Sequence, residues 1–407
     1  MKVLVLSQYF WPESFRINEL VAALVSRGVS VDVLTGKPNY PDGCVFPGYR
    51  ANRCQLEKWS GARIFRVPLV PRGKKSAIQL AINYFSFVIS ASFFGTLLLR
   101  KERPDVVFVY AASPLLQALP ALLIGWIKRA PVVVYVQDLW PESIEATGYI
   151  RSRFIIGLVE MLVKLIYQRS DLILISSRPF KTAIHRFSPS AEIIYYPNSV
   201  NASFSDPEAG SKLDVPSLNQ GFCVVFAGNV GSAQAIHVIT EAATHLKNYP
   251  DIRFVILGSG SEIEWMQSQI ADHGLSNVYL AGRFPVEAMP YLLSRASALL
   301  VSLADRPIFA ATVPNKIQAY MAVGRPIIAS INGEGARLIH EADAGLAVPA
   351  ENGKALADAI LKLYSMPQVD REKFGANAQA YYRQHFNHEN LVTDLMTHLT
   401  SIVKAKK

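Results

Sequence analysis

Short apolar runs alternating with helical stretches constrain this chain more than any other feature. The first half carries "KVLVLS" (2–7), "VSVDVLT" (29–35), "ARIFRVPLV" (62–70), "DVVFVYA" (105–111), "PVVVYVQ" (131–137), "LILISS" (172–177) and "EIIYYP" (192–197). Between them lie helical stretches such as "NELVAALVSRG" (18–28), which Gly28 closes. Strict alternation predicts a parallel, doubly wound α/β sheet. From residue 222 the rhythm restarts with "CVVFAG", "RFVILG", "NVYLAG", "ALLVSL", "RPIIAS" and "AGLAVP". The expected fold class is α/β, with two such sheets in tandem.

At 407 residues the chain is too long for one ordinary core. An N-terminal domain is expected over 1–200 and a C-terminal domain over 222–385, with a final helix over 386–407 returning to the N-terminal domain. The stretch 201–221 is polar and rich in Ser, Pro and Gly, as a linker should be. In open α/β sheets ligands bind beyond the carboxyl ends of the strands, so two facing sheets suggest a cleft with one ligand from each side.

Charge is unevenly placed. Residues 1–200 hold 24 Lys and Arg against 13 Asp and Glu, whereas residues 201–407 hold 17 against 19. The basic half should attract something anionic: nucleic acid, acidic lipid or a phosphorylated substrate. No nucleic-acid recognition motif supports the first of these. The three cysteines, Cys44, Cys54 and Cys223, lack metal spacing and read as reduced thiols of a cytosolic protein. The N-terminal "MKVLVLSQYF" has too short an apolar run for a signal peptide and reads as a first strand.

Residues 76–99 form an uncharged stretch long enough to span a bilayer. It also lies where a crossover helix belongs, and its polar residues Gln79, Asn83, Ser86 and Ser90 recur on one helical stripe. Such a helix is either buried in the domain or lies in a membrane surface, where "RGKKS" (72–76) would suit anionic headgroups. A second apolar stretch, "FIIGLVEMLVKLIYQR" (154–169), reads as a core-facing helix.

The chemistry concentrates in three loops of the second half. In "FAGNVGSAQAI" (226–236) a strand meets a turn at Gly228 and Gly231, and Ser232 is placed to cap a following helix. Strand, glycine turn and helix N-terminus make an anion site, yet the loop has no Lys or Arg. In "TVPNKIQAYMAVGRPIIAS" (312–330) Lys316 falls in the first turn of a helix that Gly324 ends, the wrong end for a cation in the helix dipole unless an anion shares the site. In "SINGEGARLIHEADAGLAV" (330–348) Gly333 and Gly335 make a turn whose amides precede a helix, with Glu334 and Arg337 beside them. "LGSGSEI" (257–263) has Ile263 where the dinucleotide fingerprint needs a third glycine, and reads mostly as a strand-to-helix turn. No DxD triplet and no His or Cys cluster with ligand spacing occurs, so no metal or other cofactor is expected.

Taken in order, these phrases resemble the GT-B glycosyltransferases, and in particular glycosyltransferase family 4. "YYPNSVN" (195–201) is similar to that family's interdomain signature, and "VYLAGRFPVEAMPYLLSRASALLVSL" (278–303) to its base-binding strand and helix. "AYMAVGRPIIAS" (319–330) and "GEGARLIHEADAGLAV" (333–348) match its later signatures. "SQYFWPES" (7–14), "GKPNYPDG" (36–43) and "QDLWPES" (137–143) resemble a narrower branch, the bacterial N-acetyl-L-fucosamine transferases of O-antigen and capsule pathways. The resemblance implies a GT-B architecture of two Rossmann-like domains. It also has departures. Asn229 and Gln234 stand where the family usually has Arg and Lys, Ala311 and Ala319 replace its paired glutamates, and Gln137 replaces a common His.

That resemblance implies a UDP-sugar donor held mainly by the C-terminal domain and transferred with retained configuration. Catalysis must then stabilise charge growing on the leaving phosphate oxygen. Lys316 and Arg337 are the candidate cations, the Gly228–Gly231 loop and the Gly333–Ala336 turn with Gly335 the candidate amides, and Asn229 and Gln234 further candidate polar contacts. Glu334 is the candidate for a sugar hydroxyl and Arg283 marks the region for the base. On the acceptor side Asp138 could orient or deprotonate the acceptor hydroxyl or merely cap a helix, and Glu13 and Arg16 mark a helix start where a diphosphate could settle. The acceptor implied is an undecaprenyl-diphosphate-linked saccharide, at the inner-membrane surface of a cytoplasmic, peripherally associated enzyme. A nucleotide-sugar epimerase of the same fold and a non-catalytic membrane-associated member are the alternatives.

Overall fold

The computed structural model describes residues 1–73, 77–147, 152–200, 202–206, 208 and 211–406. Lys74, Lys75 and Ser76 of the basic phrase lie outside the described residues. The chain divides into two compact units, Met1–Pro197 with Glu389–Lys407, and Asn198–His388. Residues 201–221 therefore fall inside the second unit, where Val215 and Leu218 join its core.

The first unit is built on strands β1 (Lys2–Leu6), β2 (Ser30–Thr35), β3 (Gln55–Trp59), β4 (Ala62–Arg66), β5 (Val106–Ala111), β6 (Val132–Val136), β7 (Leu172–Ile175) and β8 (Ile193–Tyr195). They lie in the order β3-β4-β2-β1-β5-β6-β7-β8. All neighbours are parallel except β3, an edge strand antiparallel to β4. Val3 pairs with Val31 on one side and Val106 on the other, so β1 is covered on both edges. Apolar residues on both faces are what a parallel sheet clad by helices requires. Each fully buried Val, Leu or Ile contributes about 1.5–3 kcal/mol. β3 is the strand that the alternation does not reveal, because "QLEKW" mixes charged and apolar residues.

The second unit carries β9 (Phe222–Ala227), β10 (Ile252–Leu257), β11 (Val278–Gly282), β12 (Ala298–Ser302), β13 (Ile327–Ser330) and β14 (Gly345–Val348), all parallel, in the order β11-β10-β9-β12-β13-β14. The chain winds outward from β9 to β11, then returns to β12 and winds the other way. That reversal puts a topological switch point beside the carboxyl end of β9, where ligands of such sheets bind. In the first unit the same reversal lies between β1 and β5.

The His388–Ala405 helix buries Leu391, Val392, Leu395 and Leu399 in the core of the first unit, and Tyr196 Oη donates to the Leu391 carbonyl at 2.9 Å. The apolar 76–99 stretch is an α-helix over Ala77–Ser90, a π-helical turn over Ala91–Gly95 and a last turn over Thr96–Leu98. Of its polar stripe, Asn83 and Ser90 are buried beside Phe87, Ser86 is half-buried and Gln79 is exposed, while Ile78, Ile82, Phe85 and Ile89 are exposed. The Arg153–Arg169 helix faces the core, as its composition predicts, but its outer face is apolar as well. It buries Val159, Val163, Ile166 and Tyr167 and leaves Phe154, Ile155, Leu158, Met161 and Leu165 exposed.

Candidate active site

At the carboxyl end of β9 the backbone leaves the sheet at Gly228, with φ +133°. The loop is set by close backbone approach to the turn after β10. A Cβ on Gly258 would lie 1.8 Å from the Gly228 carbonyl oxygen, and one on Gly260 2.1 Å from that of Val230. The Val230 N–H donates to Ser259 O at 3.0 Å, and Glu262 N–H to Val230 O at 3.0 Å. The glycines of "LGSGSEI" thus do more than turn the chain: they seat the neighbouring loop. Ser232 is not the helix cap that its position predicts. Residues Ser232–Gln234 form a 3-10 turn, Ala235 is left-handed, and the His237–His245 helix starts beyond it without a side-chain cap.

Lys316 reaches this loop from the first turn of the Asn315–Val323 helix. Its Nζ donates to Gln234 Oε1 and lies 3.7 Å from the centroid of the Phe226 ring. Burial alone lowers its pKa to about 7, since no carboxylate offsets the lost water. Two further bonds hold the helix in place. The Ala227 N–H donates to Tyr320 Oη at 3.1 Å, and Asn198 Nδ2 to Asn315 Oδ1 at 3.0 Å. Gln234 is tied as well, its carbonyl accepting from Ser302 Oγ at 2.6 Å. Asn229 is exposed on the rim of the loop.

The third loop meets the second through Gly335, where a Cβ would come within 3.1 Å of Ile317 and 3.4 Å of Pro314. The Glu334–Glu341 helix opens after Gly333, whose φ of +71° and contact with the Ala310 carbonyl leave no room for a side chain. First-turn amides, those of Gly335 and Ala336 among them, have no partner within a helix and are available to an anion. Arg337 is not a free cation. Its Nε and Nη2 form a fork on the buried Glu334 carboxylate at 2.7 and 2.8 Å, and Nη1 also binds Glu341. Those carboxylates push its pKa further up and offset its charge. Lys316 is left as the uncompensated cation of the three loops. Arg283 follows Gly282 at the end of the edge strand β11 and is exposed.

In the first unit the loops after β1, β2 and β6 carry the three N-terminal phrases. Glu13 turns inward, contrary to a role at an exposed helix start. It is 2% exposed, and accepts from the amides of Asn39 (2.8 Å), Tyr40 (2.7 Å) and Phe10 (3.2 Å). Burial raises its pKa to about 7 against those bonds. Its carboxylate clamps the first loop to the second. Arg16 opens the Arg16–Ser26 helix, within electrostatic reach of Tyr110 and Tyr135. Asp138 follows β6, and burial raises its carboxyl pKa to about 6. It acts electrostatically on Tyr84, whose ring meets Trp140 edge-on at 6.4 Å. Nearby, Tyr9 stacks on Phe15 at 5.2 Å, and Arg72 lies over Tyr40 at 5.2 Å. Asn83 accepts from Gln8 Nε2 at 2.7 Å and donates to Val70 O at 2.6 Å.

A family model described as "Glycosyl transferase 4-like domain" matches residues 14–199, and one described as "Glycosyl transferases group 1" matches residues 221–366. This chain belongs to the group 1, family 4 glycosyltransferases. The Escherichia coli (strain K12) glycosyl transferase WcaI, provisionally named for colanic acid biosynthesis, is 28% identical to this glycosyltransferase over 342 residues, 80% of this chain and 82% of its own. Among solved structures, sucrose-phosphate synthase from Thermosynechococcus elongatus superposes with a TM-score of 0.75 at 17% identity, covering 99% of both chains. Anabaena HepE in complex with UDP-glucose gives a TM-score of 0.64 at 15% identity, covering 98% of this chain and 100% of that one. These likenesses establish the GT-B fold that the motif order implies.

Within the glycosyltransferase, sequence reasoning missed the seating role of Gly258 and Gly260, and Asn198 and Tyr320 as supports for Lys316. The glycine spacing was visible, but not which loop it would meet.

Proposed function

We propose that this glycosyltransferase moves a sugar from a UDP-sugar to a lipid-linked saccharide, with retained anomeric configuration, in bacterial surface polysaccharide synthesis. The observation that carries the reading is Lys316, a half-buried cation without a carboxylate partner, held against the Gly228 loop at the switch point of the second sheet. A diphosphate supplies the charge that this lysine lacks. The solved complex of HepE with UDP-glucose and the polysaccharide name of WcaI support the donor class and the pathway class. The narrower reading, an N-acetyl-L-fucosamine or related N-acetylated donor in O-antigen or capsule synthesis, rests on the phrases at 7–14, 36–43 and 137–143.

In this reading the bond from the anomeric carbon to the diphosphate oxygen breaks with its electron pair on oxygen. Lys316 and the amides of the 228–231 loop and the 333–336 turn meet that charge as it grows. Gln234 holds the ammonium in place, and Asn229 and Arg283 contact the donor. Glu334 is braced by Arg337 and keeps lone pairs for a sugar hydroxyl. Asp138 orients the acceptor hydroxyl or takes its proton, with Arg16 toward the acceptor diphosphate. No metal, further cofactor or nucleic acid enters the scheme. The acceptor is an undecaprenyl-diphosphate-linked saccharide, which places the enzyme in the cytoplasm at the inner-membrane surface.

A thermal-shift panel of nucleotide sugars, followed by product analysis with and without a lipid-linked acceptor, tests the reading. The expected result is stabilisation by one UDP-sugar and a product only with acceptor. An altered donor released without acceptor would instead mark an epimerase.

A further inference from the structure

The outward apolar surface of this chain is concentrated on three neighbouring helical segments of the first unit. The Ala118–Lys128 helix packs against both the 77–98 run and the Arg153–Arg169 helix. Among the described residues, fifteen of the twenty-four large hydrophobics that are exposed lie on these three segments. Scattered singly such residues need no explanation, but a contiguous patch of this size on one face does.

The 77–98 run lacks the polar outer face of an ordinary surface helix. Asn83 points into the domain and is bonded there, while Ile78 and Ile89 are 74% and 68% exposed. A helix seated on a water-soluble core places its apolar stripe inward. The π-helical turn adds Phe93 outward, at 61% exposure. Trp126 on the middle helix is 79% exposed, and Phe154 at the start of the third is 82% exposed.

Charge tells what covers this face. Residues 77–103, 118–129 and 153–169 together hold eight Lys or Arg against two acids, Glu102 and Glu160. Glu102 is already bound by Lys2 and Arg63. Arg100, Lys101, Arg129, Arg153 and Arg169 sit at or just beyond the helix ends and are exposed. Aromatic and branched side chains with basic residues at the margins suit the interface of an anionic bilayer. A span across the bilayer is disfavoured, because the inner stripe of the 77–98 run is committed to the domain.

We propose that these three helices form one docking platform that lies in the surface of an anionic lipid bilayer, with Trp126, Phe93 and Phe154 entering the headgroup region. The proposal deepens the acceptor reading above, since a lipid-linked acceptor calls for a bilayer, and enlarges the contact from one helix to three.

The test uses the full chain with vesicles of phosphatidylcholine alone or mixed with phosphatidylglycerol, read by co-sedimentation and tryptophan emission. The expected result is binding to the anionic vesicles, weakened at high salt, with blue-shifted emission that brominated lipid quenches. The quenching should largely vanish in Trp126→Phe. The triple variant Phe93→Ser, Trp126→Ser, Phe154→Ser should lose at least tenfold in vesicle affinity while its UDP affinity stays within twofold. Absence of binding to anionic vesicles by the wild-type chain overturns the proposal. So does a wild-type dimer that the triple variant makes monomeric, which would show a second copy covering the face. UDP affinity of the same wild-type samples tests the donor reading separately, whatever the vesicles show.

Discussion

Gly228 and Lys316 compete for one volume: a Cβ on Gly228 would come within 3.0 Å of Lys316 Cε and 3.4 Å of its Nζ. The glycine also holds φ +133°, a conformation that side chains rarely adopt. Gly228→Ala is therefore expected to displace the ammonium and weaken UDP binding at least tenfold by titration calorimetry. An unchanged Kd would break the link between loop and lysine.

Lys316→Met should reduce kcat/KM for transfer more than tenfold, about 1.4 kcal/mol or more. Stability should move the other way. The folded-state pKa of about 7 lies below the 10.5 of an unperturbed lysine, so the unfolded chain binds the proton more tightly. The cost of charging the half-buried group is full below pH 7 and fades between 7 and 10.5. Ligand-free Lys316→Met should accordingly melt higher than wild type at pH 6.5, by a margin that shrinks toward pH 10. Equal melting curves at both pH values would contradict the reading of Lys316 as a half-buried cation.

A pH profile of kcat/KM should be a narrow bell. Asp138 loses its charge below about pH 6, and Lys316 loses its own above about pH 7. Asp138→Asn should remove the acid limb and most of the rate, while UDP-sugar affinity keeps only the alkaline fall. If affinity for a UDP-sugar is flat from pH 6 to 9, Lys316 is not meeting the diphosphate.

Glu13→Ala should act on the fold and not on the donor. It leaves the buried amides of Phe10 and Asn39 without their acceptor, each at about 1–3 kcal/mol, and frees the half-buried amide of Tyr40. Urea unfolding should shift to clearly lower concentration with UDP affinity intact. A variant that unfolds like wild type would mean that the carboxylate does not clamp the two loops.

Arg337→Met strips the buried Glu334 of its fork, and a lone carboxylate beside the donor amides repels phosphate. UDP affinity should fall, and adding Glu334→Gln should restore it. Failure of the double variant to bind better than the single one would show that Arg337 acts on the ligand directly.

The strands were legible because each is a run of apolar residues with turn formers at its ends, and their order carried the fold. β3 escaped because none of its residues is buried, so Glu57 and Lys58 interrupt the apolar run that marks the other strands. The place of Lys316 in the first turn of a helix was legible from Pro314 and Asn315 before it. Arg337 was misjudged although Glu334 and Glu341 stand three and four residues away, a spacing that already announces an ion-pair fork on a helix. Glu13 could not be read correctly from sequence, since nothing local says that a carboxylate will be buried under the next loop. The 77–98 run looked like either a core or an interfacial helix, because a polar stripe shows which residues share a face and not which way that face points.

The contact of Gly258 with the carbonyl of Gly228 has a thermodynamic side. Backbone touches backbone there, so the loop is ordered when the protein folds and not when a ligand arrives. The entropy of shaping the anion site is spent before binding begins, and little is left to subtract from affinity. A scaffold fixed in this way cannot be retuned through its main chain. Preference among donor sugars must then be written in the side chains along its rim, at Asn229, Ser232 and Gln234, and at Glu334 across from them.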